Sequence, residues 1–272
     1  MIYFSPAKIN LGLHILRRRE DGFHDLRSVM YPTALCDIIE IHQLPGETSP
    51  VRFTQSGIRF DSDPEHNLCM KAWNLLASDR ELPPVAIHLH KQIPVGAGLG
   101  GGSSNASTVL RGLNLLAASP APPEKLKEMA AQVGSDCPFF LHDMPMMMEG
   151  KGELLSPVQV SLEGKYLVLL FPDIHISTAE AYGVVSPAIP DLHLKQVIES
   201  PVHQWKNRVE NDFERSAFIK HPLLESLKLG LYNAGSMYAS MSGSGSSLYG
   251  IFEELPELPP EIRKYVIWKG PA

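Results

Sequence analysis

Cysteine is scarce in this sequence. Cys36, Cys69 and Cys137 are the only three in 272 residues. They lie far apart, are odd in number and show no CxxC spacing. A disulfide framework and a cysteine-built zinc site are therefore not expected; reduced core thiols are. Charge is sparse too. Lys and Arg number 24 against 30 Asp and Glu, a formal net of −6. Such an acidic balance does not suit a chain whose task is to grip nucleic-acid backbone. No apolar run nears the roughly 20 residues of a membrane span. Met1 to Pro6 lacks the basic start of a signal peptide, so none is visible. No period of about 20–50 residues recurs, which excludes a repeat architecture. The 11 histidines are scattered. His88 and His90 share a strand face, but no third metal ligand suggests itself. A cytoplasmic protein is expected, with no nucleic-acid partner and no membrane attachment.

What is present is apolar patterning. Hydrophobic residues make up 44 % of the chain, enough for a globular fold. Ala7, Ile9, Leu11, Leu13 and Ile15 alternate with Lys8, Asn10, Gly12 and His14. That period of two predicts a half-buried strand with its polar face free to work. Further strands are predicted at Leu26–Tyr31, Asp37–Leu44, Val51–Gln55 and from Val85 to His90. Helices are predicted at Asn67–Ser78, at about Ser103–Ala118 and after Pro123, which suits a first helical turn. The pattern changes around Met144–Glu153. Beyond it come a strand at Lys165–Phe171 and short helices at Thr178–Val184, Leu192–Glu199, Asn211–Ile219 and Leu223–Asn233. Strands follow at Met237–Met241 and Leu248–Phe252, then a last helix and strand. Strands mixed with helices in two runs predict an α+β chain of two lobes, residues 1–155 and 156–272.

The segment from Pro94 to Ala106 carries the most information. It reads Pro-Val-Gly-Ala-Gly-Leu-Gly-Gly-Gly-Ser-Ser-Asn-Ala between a strand and a long amphipathic helix. Its glycines permit sharp turns and close approach to a ligand. Ser103, Ser104 and Asn105 are candidate N-caps. Free N–H groups and the positive dipole end of the helix then make an anion site, most often for phosphate. A Walker A loop is excluded because Gly102 stands where its lysine belongs. Gly96, Gly98 and Gly101 match a dinucleotide fingerprint. The preceding strand alternates polar and apolar, however, and two helices follow without a returning strand, which argues against that fold. A flexible linker does not belong between an ordered strand and a long helix. A glycine-rich anion loop of another kind remains.

Three segments together resemble the GHMP small-molecule kinases. Ser5-Pro6-Ala7-Lys8-Ile9-Asn10-Leu11 is similar to their first motif and Pro94 to Ala106 to their phosphate loop, here with Gly101 and Gly102 added before the serines. Met241-Ser242-Gly243-Ser244-Gly245-Ser246-Ser247 is similar to the third, glycine-rich motif. Asp21 to Leu26, Gly134 to Phe139 and Asn211-Asp212-Phe213-Glu214 narrow the resemblance to members that act on a CDP-linked methylerythritol in the non-mevalonate route to isoprenoids. The alternative is a GHMP kinase for another small alcohol, such as homoserine or mevalonate. The resemblance implies an N-terminal ATP-binding lobe like ribosomal protein S5 domain 2, a ferredoxin-like C-terminal lobe, and a ligand cleft between them.

It also implies roles. Asp136 matches the catalytic base and Lys8 the lysine that keeps that base ionised and offsets developing charge. Asn10 would bind substrate or orient Lys8. ATP would lie along Pro94, Gly96, Gly98, Leu99, Gly100, Gly101, Gly102, Ser103 and Ser104, with Asn67 beside the adenine. Relatives often carry Asp where this chain has His66. Mg²⁺ would accompany ATP, with Ser104 as its protein ligand. His24 would hydrogen-bond cytosine. Phe23 stands where a tyrosine is common, Tyr182 aligns with a stacking aromatic, and Thr178, Gly243 and Ser244 border the substrate. The chain is expected to be a monomer or homodimer. The first 30 residues hold five basic and three acidic side chains, so the cationic end is the one carrying Lys8 and His24.

Overall fold

The computed structural model describes residues 1–59, 67–190 and 192–272. It is a mixed α+β chain that forms two compact units. The units are not consecutive halves. The first comprises Met1–Ala7, Leu35–Val95 and Gly100–Asp143. The second comprises Lys8–Ala34, Gly96–Leu99 and Met144–Ala272. Strands β1 (Ile2–Arg18) and β2 (His24–Gln43) each contribute residues to both.

In the first unit, the C-terminal half of β2 pairs antiparallel with β4 (Val85–Lys91), from Ile38 opposite His90 to Gln43 opposite Val85. On its other side β4 pairs parallel with β3 (Val51–Gly57). Ile39, Ile41, Val85, Ile87 and Leu89 share the inward face and are buried. Helices α1 (Leu68–Asp79), α2 (Gly101–Asn114) and α3 (Pro123–Val133) supply the other side of the core through Leu76, Val109, Leu110, Leu113 and Met129. Each such aliphatic side chain contributes about 1.5–3 kcal/mol on burial. That packing carries α2 through the poor helix formers Gly101 and Gly102, which cost about 1 kcal/mol each relative to alanine.

In the second unit, Leu26–Met30 of β2 pair antiparallel with β5 (Met146–Gly150), which pairs with β6 (Leu154–Pro157). A separate antiparallel sheet has the order β10 (Val266–Pro271), β7 (Tyr166–Leu170), β9 (Leu248–Phe252), β8 (Tyr238–Met241). Helices α4 (Thr178–Val184), α5 (Leu194–Ile198), α6 (Glu214–Lys220), α7 (Pro222–Asn233) and α8 (Pro260–Arg263) belong to this unit, and α7 packs on β8 and β9.

Four expectations change. The two strands predicted over residues 26–44 are one 20-residue strand. Pro32 donates no hydrogen bond, and it falls in the stretch between the pairing with β5, which ends at Met30, and that with β4, which begins at Ile38. The polar face of β1 is not open, because Lys8, Asn10 and His14 are buried. Helix α2 opens at Gly101, two residues early. Gly100 turns the chain in at φ 68°, so Ser103, Ser104 and Asn105 lie inside the helix and no side chain caps it. Finally, Asn211 does not start a helix; it bridges to Leu13 of β1, and α6 begins at Glu214.

Candidate active site

In the second unit, Lys8, residues Gly96–Leu99 and the third glycine motif meet. Lys8 Nζ donates to Asn10 Oδ1 at 2.5 Å and to the Gly98 carbonyl at 3.0 Å. That carbonyl also accepts from Ser242 Oγ at 2.9 Å. The Lys8 amide donates to the Leu99 carbonyl at 2.9 Å, and Ser247 N to that of Ala97 at 3.1 Å. Positive φ favours glycine at both turns, and at Gly98 a close approach requires it. Gly98 has φ +79°, and a Cβ there would collide with the Ser242 carbonyl. Gly243 has φ +58°, and a Cβ there would stand 3.4 Å from Lys8 Nζ and 3.5 Å from Asn10 Oδ1. Asn10 is itself fixed. Its Nδ2 donates to Ser28 Oγ at 2.8 Å, Ser28 donates to the Gly12 carbonyl, and Tyr249 OH donates to the Asn10 carbonyl at 2.7 Å.

Asn211 organises the third motif. Its Nδ2 reaches the carbonyls of Met241 at 2.8 Å and Gly243 at 2.9 Å, while its Oδ1 accepts from Phe213 N at 3.0 Å. Glu214, also buried, accepts from Ser240 Oγ and Met241 N. The sequence marked Asn211 to Glu214 as a motif without giving it a role. Ser28 did not stand out there, since a strand serine is common.

An aromatic surface lies in the same unit. His24 stacks on Tyr182 with ring centroids 5.1 Å apart, and Tyr182 meets Phe213 edge-on at 4.9 Å. Phe23 is 60 % exposed, and Lys151 Nζ lies 5.0 Å from its ring centroid. Thr178 is the first residue of α4, whose cap is Ser177 accepting from Glu180 N. Ser244 lines a cavity of about 960 Å³ with Ile176, Phe213 and Glu180; His24 and Tyr182 do not line it.

The first unit holds Pro94, Asn67, Gly100 to Ser104 and Asp136. The N–H groups of Gly101, Gly102 and Ser103 precede the first intrahelical bond, made by Ser104 N to the Gly100 carbonyl at 2.9 Å, and so point outward as anion donors. Asp136 is half-buried before the 3₁₀ turn Cys137–Leu141 and makes no capping bond to it. Its segment sits against the start of α2. Ser107 Oγ donates to the Cys137 carbonyl at 2.8 Å, and a Cβ on Gly134 would lie 3.8 Å from Ser103 Oγ. Burial pushes the Cys137 thiol up to about 11 and the Cys69 thiol up to about 12. Asn67 caps α1 by accepting from Cys69 N. His66 lies outside the described residues.

Ser104 fits a metal poorly. It is fully buried, and its hydroxyl shares a 2.8 Å hydrogen bond with Ser5 Oγ. Among the described residues no three His, Cys, Asp or Glu side chains gather as a metal cluster. No helix among them is long and apolar enough to cross a membrane.

Residues 67–143, which include α1, α2 and Asp136, match the GHMP kinases N terminal domain. The chain is 46 % identical over 254 residues to 4-diphosphocytidyl-2-C-methyl-D-erythritol kinase of Parabacteroides distasonis, spanning 93 % of this chain and 92 % of that one. A solved structure of 4-(cytidine 5'-diphospho)-2C-methyl-D-erythritol kinase is similar at TM-score 0.83 and 31 % identity, over 99 % of this chain and 98 % of that one. Homoserine kinase from Cytophaga hutchinsonii matches at TM-score 0.67 and 18 % identity, over 97 % of this chain and 87 % of that one, a likeness of fold alone. The chain belongs to the 4-diphosphocytidyl-2-C-methyl-D-erythritol kinase family of GHMP kinases.

Proposed function

We propose that this chain transfers the γ-phosphate of ATP to the 2-hydroxyl of 4-(cytidine 5'-diphospho)-2-C-methyl-D-erythritol, a step toward isoprenoid precursors. Phosphoryl transfer asks a protein for positioning and charge stabilisation more than for covalent chemistry. The N–H groups of Gly101, Gly102 and Ser103 bind phosphate oxygens. Asp136 takes the proton from the substrate hydroxyl as its oxygen attacks phosphorus. Lys8 offsets charge on the transferred group, and Asn10 keeps its ammonium aimed. His24, Tyr182 and Phe23 receive the cytosine, with Thr178, Gly243 and Ser244 along the rest of the substrate. Leu99, Gly96 and Gly98 complete the nucleotide side, with Asn67 near the adenine. Mg²⁺ would supply charge neutralisation to the nucleotide's phosphates, and Ser104 fits it poorly as a ligand. In this reading the chain works in the cytoplasm, as a monomer or homodimer with an ATP-binding lobe over residues 1–155.

The observation that supports the choice of alcohol is the stacked His24–Tyr182 pair backed by Phe213. Homoserine and mevalonate offer no base to such a surface. The test is ADP release measured by a coupled assay with the CDP-linked alcohol, homoserine and mevalonate in parallel. Turnover of the first alone is expected. No ADP from the first, or equal turnover of all three, would sink the proposal.

A further inference from the structure

Asp37 is fully buried, at a position the substrate chemistry does not use. Its carboxylate accepts from Lys91 Nζ, from Gln92 N at 2.6 Å, from Ile93 N at 2.8 Å and from Asn105 Nδ2 at 2.8 Å. Those four donors come from two places in the chain. Lys91, Gln92 and Ile93 end the β4 stem, just ahead of Pro94. Asn105 lies in the second turn of α2, just beyond the glycines. One carboxylate thus holds both stems of the glycine segment.

The neighbours extend this grip to the first turn of α2. Asn105 Nδ2 also donates to Ser5 Oγ at 3.1 Å, and Ser5 shares its hydroxyl bond with Ser104. A Cβ on Gly101 would lie 2.8 Å from Lys91 Nζ and 2.8 Å from Ile93 Cγ2, so the helix start rests directly on the ion pair and the strand end. Glycines have the most backbone freedom to lose, and Gly100 to Gly102 have no side chains with which to hold themselves. Stability is a weak reason for such a cluster, because well-packed apolar residues often replace a buried ion pair without loss. Fixing the direction of N–H groups is a stronger one.

We propose that Asp37 is a positioning residue for nucleotide binding, acting through Asn105 and Lys91 to fix the Gly101, Gly102 and Ser103 amides that receive phosphate. This rests on the reading of the glycine segment as the ATP site. Two variants test it. Asn105→Leu keeps the ion pair and removes the helix tie. The double variant Asp37→Asn with Lys91→Met removes both charges together, so no lone buried charge remains. Binding of fluorescent N-methylanthraniloyl-ADP and both KM values are measured on chains shown to be folded by circular dichroism. In each variant, ADP affinity should fall and the KM for ATP rise by about tenfold or more, with the KM for the CDP-linked alcohol within about twofold. ADP affinity within about twofold of wild type in both variants would overturn the assignment. So would an equal rise in both KM values, or failure of both variants to fold, since either leaves Asp37 a purely structural role. A wild-type chain that binds no ADP overturns the nucleotide reading itself, and the positioning role with it.

Discussion

The side-chain amide of Asn211 holds the backbone carbonyl of Gly243 at 2.9 Å and that of Met241 at 2.8 Å. Gly243 in turn has a left-handed backbone, φ +58°, and a Cβ there would be in van der Waals contact with Lys8 Nζ and Asn10 Oδ1. Asn211 therefore sets the third glycine turn against the lysine. Asn211→Leu preserves volume but strands two buried carbonyls. It should cost about 2–6 kcal/mol in urea unfolding, at about 1–3 kcal/mol for each carbonyl left unpaired. Among the molecules that remain folded, kcat/KM should fall by about tenfold. A wild-type kcat/KM would contradict the ordering role.

Gly98 and Gly164 separate strain from collision. Both have positive φ, +79° and +75°, but only Gly98 has a neighbour within reach of a Cβ, the Ser242 carbonyl. Gly164→Ala should cost about 1–2 kcal/mol from the left-handed backbone alone. Gly98→Ala adds overpacking of about 1–3 kcal/mol and should also lower activity, because the Gly98 carbonyl receives Lys8. Urea midpoints and ADP release on the two variants give the comparison. Equal losses would mean the Ser242 contact carries no weight.

Asp136 makes no capping bond to the turn it precedes. Asp136→Asn keeps the side chain's size and one hydrogen-bonding oxygen, so the melting temperature is expected to stay within about 2 °C of wild type. Its kcat should drop by about 10²–10⁴, the usual contribution of a general base. A drop in kcat that only accompanies unfolding would assign the carboxylate to the fold.

Cys69 and Cys137 test the pH response. Burial raises both thiols, to about 12 and about 11. The unfolded chain ionises them near the ordinary thiol value, while the folded chain holds both protons. Their contribution is thus complete below about pH 8.5 and is lost as pH rises toward the folded values. Urea midpoints should fall from about pH 9 upward, and less steeply in Cys69→Ala with Cys137→Ala. A thiol reagent at neutral pH should reach Cys36, which is half-buried, well before the other two. Rapid labelling of all three in the native chain would contradict this.

Much of the candidate site was legible because its motifs are local. Lys8 and Asn10 sit two residues apart on one strand, and Gly96 to Ser104 run consecutively. The missed residues are those that work at a distance. Asp37 continues the inward row of Ile39 and Ile41, and Lys91 that of Val85, Ile87 and Leu89. Two opposite charges on core-facing positions were the available signal, but nothing in the sequence pairs residues 54 apart. Asn211 was visible as part of a motif, while the carbonyls it holds lie 30 and 32 residues away.

The sequence by itself determined most of the strands and helices (though not β5 and β6), the glycine-rich segment leading into α2 and, through its motifs, the kinase family. Those features rest on periodicity and on residue types a few positions apart. Only the tertiary structure decided that the polar face of β1 is buried, that Gly100 starts α2 two residues early, and that Asp37 grips both stems of the loop. Burial and hydrogen-bond partners depend on what the rest of the chain lays against a segment. A period of two states which side chains share a face, and packing alone states what that face meets.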